Sequence, residues 1–182
     1  MYKVESDFEC NGLRCMVTFG DMGYRCGYVG IPKTHILYGR DYNDYLEVKK
    51  EDIEDKKISG VFPLLGALLD EDERFRIDAF FNCHGGITYA GGGVGSKYPV
   101  ASDLWWFGFD CAHYDDGKEL DLALEYFPEL SQRILSIKQI ENMYPTGGIV
   151  RSREYVENEL KDLATQLSEF TYERGISKKE NK

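Results

Sequence analysis

The sequence predicts an α+β fold in one domain, a mainly antiparallel sheet with C-terminal helices packed on it. Three observations predict it. Asn11-Gly12 separates two strand-like arms, Leu104–Phe109 is an apolar aromatic run, and an apolar stripe recurs every three or four residues from Val156 to Phe170. At 182 residues, with 42% hydrophobic side chains, the chain is long enough to bury one sizeable core.

Asn and Gly both tolerate positive φ, so Phe8–Cys10 and Leu13–Phe19 read as a hairpin. Leu13, Cys15, Val17 and Phe19 alternate with more polar neighbours, which predicts one buried face. Asp21-Met22-Gly23 turns the chain into a third strand, Tyr24–Ile31, ended by Pro32, and the three form a meander. The signal fades from Lys33 to Glu73. There Lys49–Lys57 reads as a solvated stretch and Val61–Leu69 as a short helix or covering loop. Strand character returns over Phe75–Cys83 and Ile87–Ala90. Leu104–Phe109 has too few polar residues for a one-sided strand and belongs inside the sheet.

Helical spacing follows over Leu120–Tyr126 and Leu130–Met143, broken by Pro128 and then by Pro145 and Gly147-Gly148. Ser152 is an N-cap candidate for the last helix, whose stripe of Val156, Leu160, Leu163, Leu167 and Phe170 suits packing across a sheet. Gly175 marks its expected end. The domain then spans residues 1–175, and 176–182 reads as a disordered tail.

A net charge of -10 argues against direct binding to duplex nucleic acid, which needs cations to displace counterions. It suits a basic protein surface as partner, and equally it suits plain solubility. No apolar run approaches a membrane span and the N-terminus has no signal-peptide core. Five cysteines without framework spacing point to the reducing cytoplasm.

Two of the three histidines sit beside cysteines, in Cys83-His84-Gly85-Gly86 and Asp110-Cys111-Ala112-His113, each after an expected strand. Imidazole, carboxylate and thiolate are the ligands zinc uses. Asp110 and His113 stand three residues apart where a turn can aim both at one ion. His84, Asp110 and His113 are therefore the candidate metal ligands, for a structural zinc, with a further ligand from Cys111, Asp116, His35 or water. The same residues have a plainer use: a histidine beside a sheet hydrogen-bonds a carbonyl, and a buried cysteine packs as a small hydrophobe. No CxxC or HExxH motif is present. Gly91–Lys97 lacks the Gly-Lys-Ser/Thr ending of a phosphate loop and reads as an ordinary loop. Neither Cys83 nor Cys111 is marked as an activated nucleophile, so no catalytic residue is assigned.

Three segments carry a resemblance. Cys26–Pro32 with His35, then His84-Gly85-Gly86-Ile87-Thr88-Tyr89-Ala90-Gly91, then Trp105-Trp106-Phe107-Gly108-Phe109-Asp110-Cys111-Ala112-His113 together resemble a family of small proteins of phages and mobile elements. In that pattern an Ala-Gly-Asp or Tyr-Gly-Asp follows the last histidine. Here Tyr114-Asp115-Asp116 keeps the acid but not the glycine, and Ile58–Asp72 looks like an insertion. The chain is also similar in size and kind to type II-A anti-CRISPR proteins, some of which contain zinc. That likeness implies a cytoplasmic protein of the host bacterial cell that binds Cas9, with or without guide RNA. It would block target DNA binding or cleavage, with the metal as a structural staple. The acidic charge fits the positively charged channel in which Cas9 holds nucleic acid. The alternative is a metal-dependent hydrolase acting on a nucleotide or phosphodiester, with an open coordination position for water.

Overall fold

A computed structural model of the chain describes residues 1–48, 73–145 and 147–172. Lys49–Lys57, Val61–Leu69, the segment Ile58–Asp72, Gly175 and residues 176–182 lie outside the described residues. Five antiparallel strands form the main sheet: β1 (Tyr2–Cys10), β2 (Leu13–Gly20), β3 (Arg25–Ile31), β6 (Tyr89–Gly92) and β7 (Trp105–Asp110), in the order β1-β2-β3-β7-β6. Asn11 (φ 51°) and Gly12 (φ 76°) make the tight turn of the first hairpin, whose register runs from Cys10 opposite Leu13 to Tyr2 opposite Gly20. The run at Trp105–Asp110 lies between β3 and β6 and is hydrogen-bonded on both sides, as its composition predicts.

The last helix, Arg153–Glu169, covers one face of this sheet. Ser152 caps it, its Oγ accepting from the Tyr155 N–H at 3.1 Å. Val156, Leu160, Leu163 and Leu167 are fully buried against Cys15, Val17, Val29, Ile31, Phe107 and Phe109. Side chains buried to this degree each contribute about 1.5–3 kcal/mol through area removed from water. Gly27 sets the spacing. A Cβ there would stand 2.7 Å from the Phe109 ring and 3.0 Å from Leu160 Cδ2. The helix ends at Glu169, six positions before Gly175.

Two expectations are corrected. β2 is buried on both faces rather than one, because Met16 and Thr18 are covered too. Met16 packs with Tyr28 and Trp106, with Val100 and Leu104 of the loop before β7 partly buried against them. The expected strand Phe75–Cys83 is only Glu73–Arg76 (β5), paired in a small ribbon with Tyr45–Val48 (β4), followed by a 3₁₀ turn at Ile77–Phe80. The Ile77 and Asp78 N–H groups donate to the carbonyls of Asp44 and Tyr42, which bends the backbone. Phe80 and Phe81 then both reach Phe170, which the alternation of a strand forbids for neighbours.

Two short helices, α1 (Leu120–Tyr126) and α2 (Ser131–Met143), bury Leu120, Ala123, Phe127 and Ile134 on Phe19, leaving Ile140, Met143 and Tyr144 exposed. Between them and α3, as the helix Arg153–Glu169 is called from here, Ile149–Val150 (β9) pairs in parallel with Asp116–Gly117 (β8). Arg25 lies under this junction, 6% exposed. Its guanidinium donates to Glu5 at 2.6 and 3.1 Å, to Glu119 at 2.6 Å and to the Arg151 carbonyl at 2.9 Å. Removing one partner from such a buried set leaves a charge without compensation. Among the described residues no helix is long and apolar enough to cross a membrane, and all five cysteines are free thiols.

His35 caps the far end of α3. Its Nδ1 accepts from the Leu37 N–H at 3.1 Å, which requires Nε2 to carry the proton donated to the Leu167 carbonyl at 2.9 Å. Burial, the larger influence, lowers its affinity for a second proton below the ordinary 6.5, against the opposing pull of the Leu167 carbonyl. The unfolded chain therefore binds the proton more readily, so stability falls as pH drops below about 6.5. Denaturant melts from pH 7.5 to 5 should show this loss, and His35→Gln, which keeps the donor to Leu167, should reduce the slope.

Candidate metal centre

His84 stands on the turn Cys83–Gly86, closed by the Gly86 N–H donating to the Cys83 carbonyl at 3.0 Å. His113 opens the turn His113–Asp116, closed by the Asp116 N–H at 3.0 Å. The turns meet face to face, with imidazole centroids 5.2 Å apart. Gly85 makes this approach possible twice over: its φ is +66°, and a Cβ would lie 2.0 Å from His113 Cε1.

The third member of the group is Asp116. His84 Nε2 lies 2.8 Å and His113 Nδ1 3.2 Å from Asp116 Oδ2, and the donor atoms of the three side chains all lie within 4.8 Å of one another. Around a tetrahedral ion with bonds of about 2.1 Å, neighbouring donors stand about 3.4 Å apart. Both nitrogen-to-Oδ2 distances are a little shorter than that, and the trio could hold a metal ion. Two imidazoles and a carboxylate suit a borderline divalent metal. The centre opens in one direction: the side chain of Asp116 is 1% exposed, that of His84 11% and that of His113 38%.

Each donor is tied from behind. Arg151 Nε donates to Asp116 Oδ1 at 2.8 Å, leaving Oδ2 directed at the imidazoles. The His113 N–H also donates to Oδ2, at 3.0 Å. Burial alone raises the Asp116 carboxyl, but the hydrogen bonds from Arg151, His84 and the His113 backbone outweigh it. Together they hold the group well below the usual carboxylate range. His84 Nδ1 lies 3.0 Å from the Tyr155 hydroxyl, and the Arg151 guanidinium lies 5.0 Å over the Tyr155 ring.

Of the residues expected from sequence, the structure brings His84 and His113 together and leaves Asp110 out of the group. The Asp110 carboxylate accepts from Thr88 Oγ1 at 3.0 Å and from the Ala112 N–H at 3.1 Å, fixing the loop that delivers His113. Asp116 stands where Asp110 was expected. Cys111 is buried, and burial first, then nearby carboxylates, push its thiol up to about 12; its sulfur is not among the donors that converge with His84, His113 and Asp116. His35 is occupied near the other end of α3, 12 residues beyond Tyr155 and so about 18 Å along the helix. Nor does His84 follow a strand, since the chain before it is the 3₁₀ turn and an extended link.

Arg151 and Tyr155 carried no motif. They arrive through the β8–β9 pairing, where Gly117 and Gly148 allow backbones to touch: a Cβ on Gly148 would meet the Asp116 carbonyl at 2.4 Å. Gly147-Gly148 was legible only as a helix breaker. Comparison of the chain with protein-family models, with curated proteins and with solved structures finds no match.

Replacing Asp116 with Ala leaves Arg151 facing a buried gap and should lower stability by about 3 kcal/mol, at the low end for a broken buried pair because Arg151 is partly solvated. Because folding depresses this carboxyl, its contribution is present above the unfolded value near 4 and disappears as pH falls below it. Thermal melts of wild type and Asp116→Ala should therefore differ most at neutral pH and converge in acid.

Proposed function

We propose that the protein is a non-enzymatic inhibitor that binds Cas9 and blocks target DNA binding or cleavage. In this reading a zinc ion on His84, His113 and Asp116 staples the loops of its central motifs. The observation that carries the staple is the direction of the donors: Oδ2, Nε2 and Nδ1 converge, while Oδ1 and the far nitrogen of His84 are tied to α3 and the segment before it. The groups in hydrogen-bond contact with the trio are Arg151, Tyr155 and the His113 backbone. Among the described residues in contact with the trio, none is a free carboxylate able to take a proton from water. A metal in that setting contributes its binding free energy to folding.

The partner rests on two supports. Net charge of -10 favours a basic protein surface over nucleic acid, and the motif segments resemble the mobile-element family described above. Acidic side chains would steer encounter, so association should slow as salt rises while the formed complex persists.

One feature favours the hydrolase reading. Three protein donors leave a fourth position, and His113 is more than a third exposed beside it.

A single set of assays separates the two. Purified protein in excess over guide-loaded Cas9 should abolish target cleavage and co-elute with Cas9 on size exclusion. His113→Ala should lower the melting temperature of zinc-loaded protein. Undiminished cutting without co-elution contradicts the inhibitor reading. Hydrolysis of a nucleotide or phosphodiester that His113→Ala abolishes, with its melting temperature unchanged, supports the hydrolase instead.

A further inference from the structure

A metal-bound histidine must present a lone pair from a defined nitrogen, and the hydrogen bond at its other nitrogen decides which. For His84 that second bond comes from α3. The Tyr155 hydroxyl lies 3.0 Å from Nδ1, and the ring is held edge-on to the imidazole at 5.6 Å. A phenolic hydroxyl can accept a hydrogen bond as well as donate one. With an ion on Nε2, His84 carries its proton on Nδ1, and the Tyr155 oxygen accepts it. Nε2 is the nitrogen that faces Asp116 Oδ2, at 2.8 Å. Without an ion, Nε2–H donates to that carboxylate; a bound ion takes the proton's place, and the proton is then kept on Nδ1.

We infer that Tyr155 is a positioning residue for the metal centre: it sets the His84 tautomer so that Nε2 is the ligating atom. Arg151 completes the arrangement by occupying Asp116 Oδ1, so that the carboxylate offers Oδ2 alone. The helix that covers the sheet thus also sets the metal affinity of two loops to which it contributes no ligand. This assignment rests on the metal reading above.

Tyr155→Phe is the test, because it removes only the hydroxyl and keeps the ring beneath Arg151. Zn²⁺ and Co²⁺ affinities are measured by competition with a chromophoric chelator, and melting temperatures in EDTA and in excess Zn²⁺. Wild type should bind one ion. Tyr155→Phe should bind it about 10- to 100-fold more weakly with its melting temperature in EDTA unchanged. Equal affinities overturn the assignment. So does an equal drop in melting temperature with and without zinc, which would make the hydroxyl a folding contact only. A second readout needs no variant: ¹⁵N spectra of zinc-loaded wild type should show His84 protonated at Nδ1 and metal-bound at Nε2, and coordination through Nδ1 overturns the inference. Failure of wild type to bind either ion sinks the metal reading itself, an outcome distinct from the others.

Discussion

A carboxylate that is 1% exposed must be satisfied by partners, and the geometry around Asp116 follows from that requirement. Its two oxygens receive Arg151 Nε, the His113 N–H and the facing nitrogens of His84 and His113. These partners come from three separate stretches of chain. The turn at Cys83–Gly86, the turn at His113–Asp116 and the link from β9 into α3 are held in register by one side chain. The glycines at 85, 117 and 148 are the steric counterpart of the same demand, because a Cβ at any of them would keep the segments apart.

The polar chain continues into the fold. Arg25, buried below the junction, bonds Glu5 and Glu119 and also the carbonyl of Arg151, while the Arg151 side chain bonds Asp116. The edge strand β1, strand β3 and the approach to α3 are thereby tied to the metal centre through charge-assisted bonds, which are roughly twice as strong as neutral ones. A change at either end should be felt at the other, since members of such a network act non-additively. An ion between the histidines and Asp116 would close the chain at its solvent-facing end, where His113 is most open.

Much of the scaffold was legible because it rests on local chemistry. Asn11-Gly12 can hardly do anything but turn, the stripe from Val156 to Phe170 has a helical period, and Leu104–Phe109 is too apolar for a one-sided strand. Phe75–Cys83 misled because aromatic and β-branched residues suit strands, whereas Phe80 and Phe81 are drawn to the same side by Phe170. At the site, His84 and His113 were visible as chemistry-bearing residues beside glycines. Asp110 and Asp116 flank His113 at the same spacing of three, and sequence alone offers no means of choosing between them. The choice is made by Thr88, which engages Asp110, and by Arg151, which draws in Asp116. Both are tertiary contacts.

The distinction between the two aspartates is also where the account is most exposed. Elemental analysis of protein purified without chelator, for wild type, Asp110→Asn and Asp116→Asn, tests it directly. The account predicts about one divalent transition-metal ion per chain in wild type and in Asp110→Asn, and loss of the ion in Asp116→Asn. A wild-type protein free of transition metal, or an ion lost with Asp110 and kept without Asp116, would contradict it.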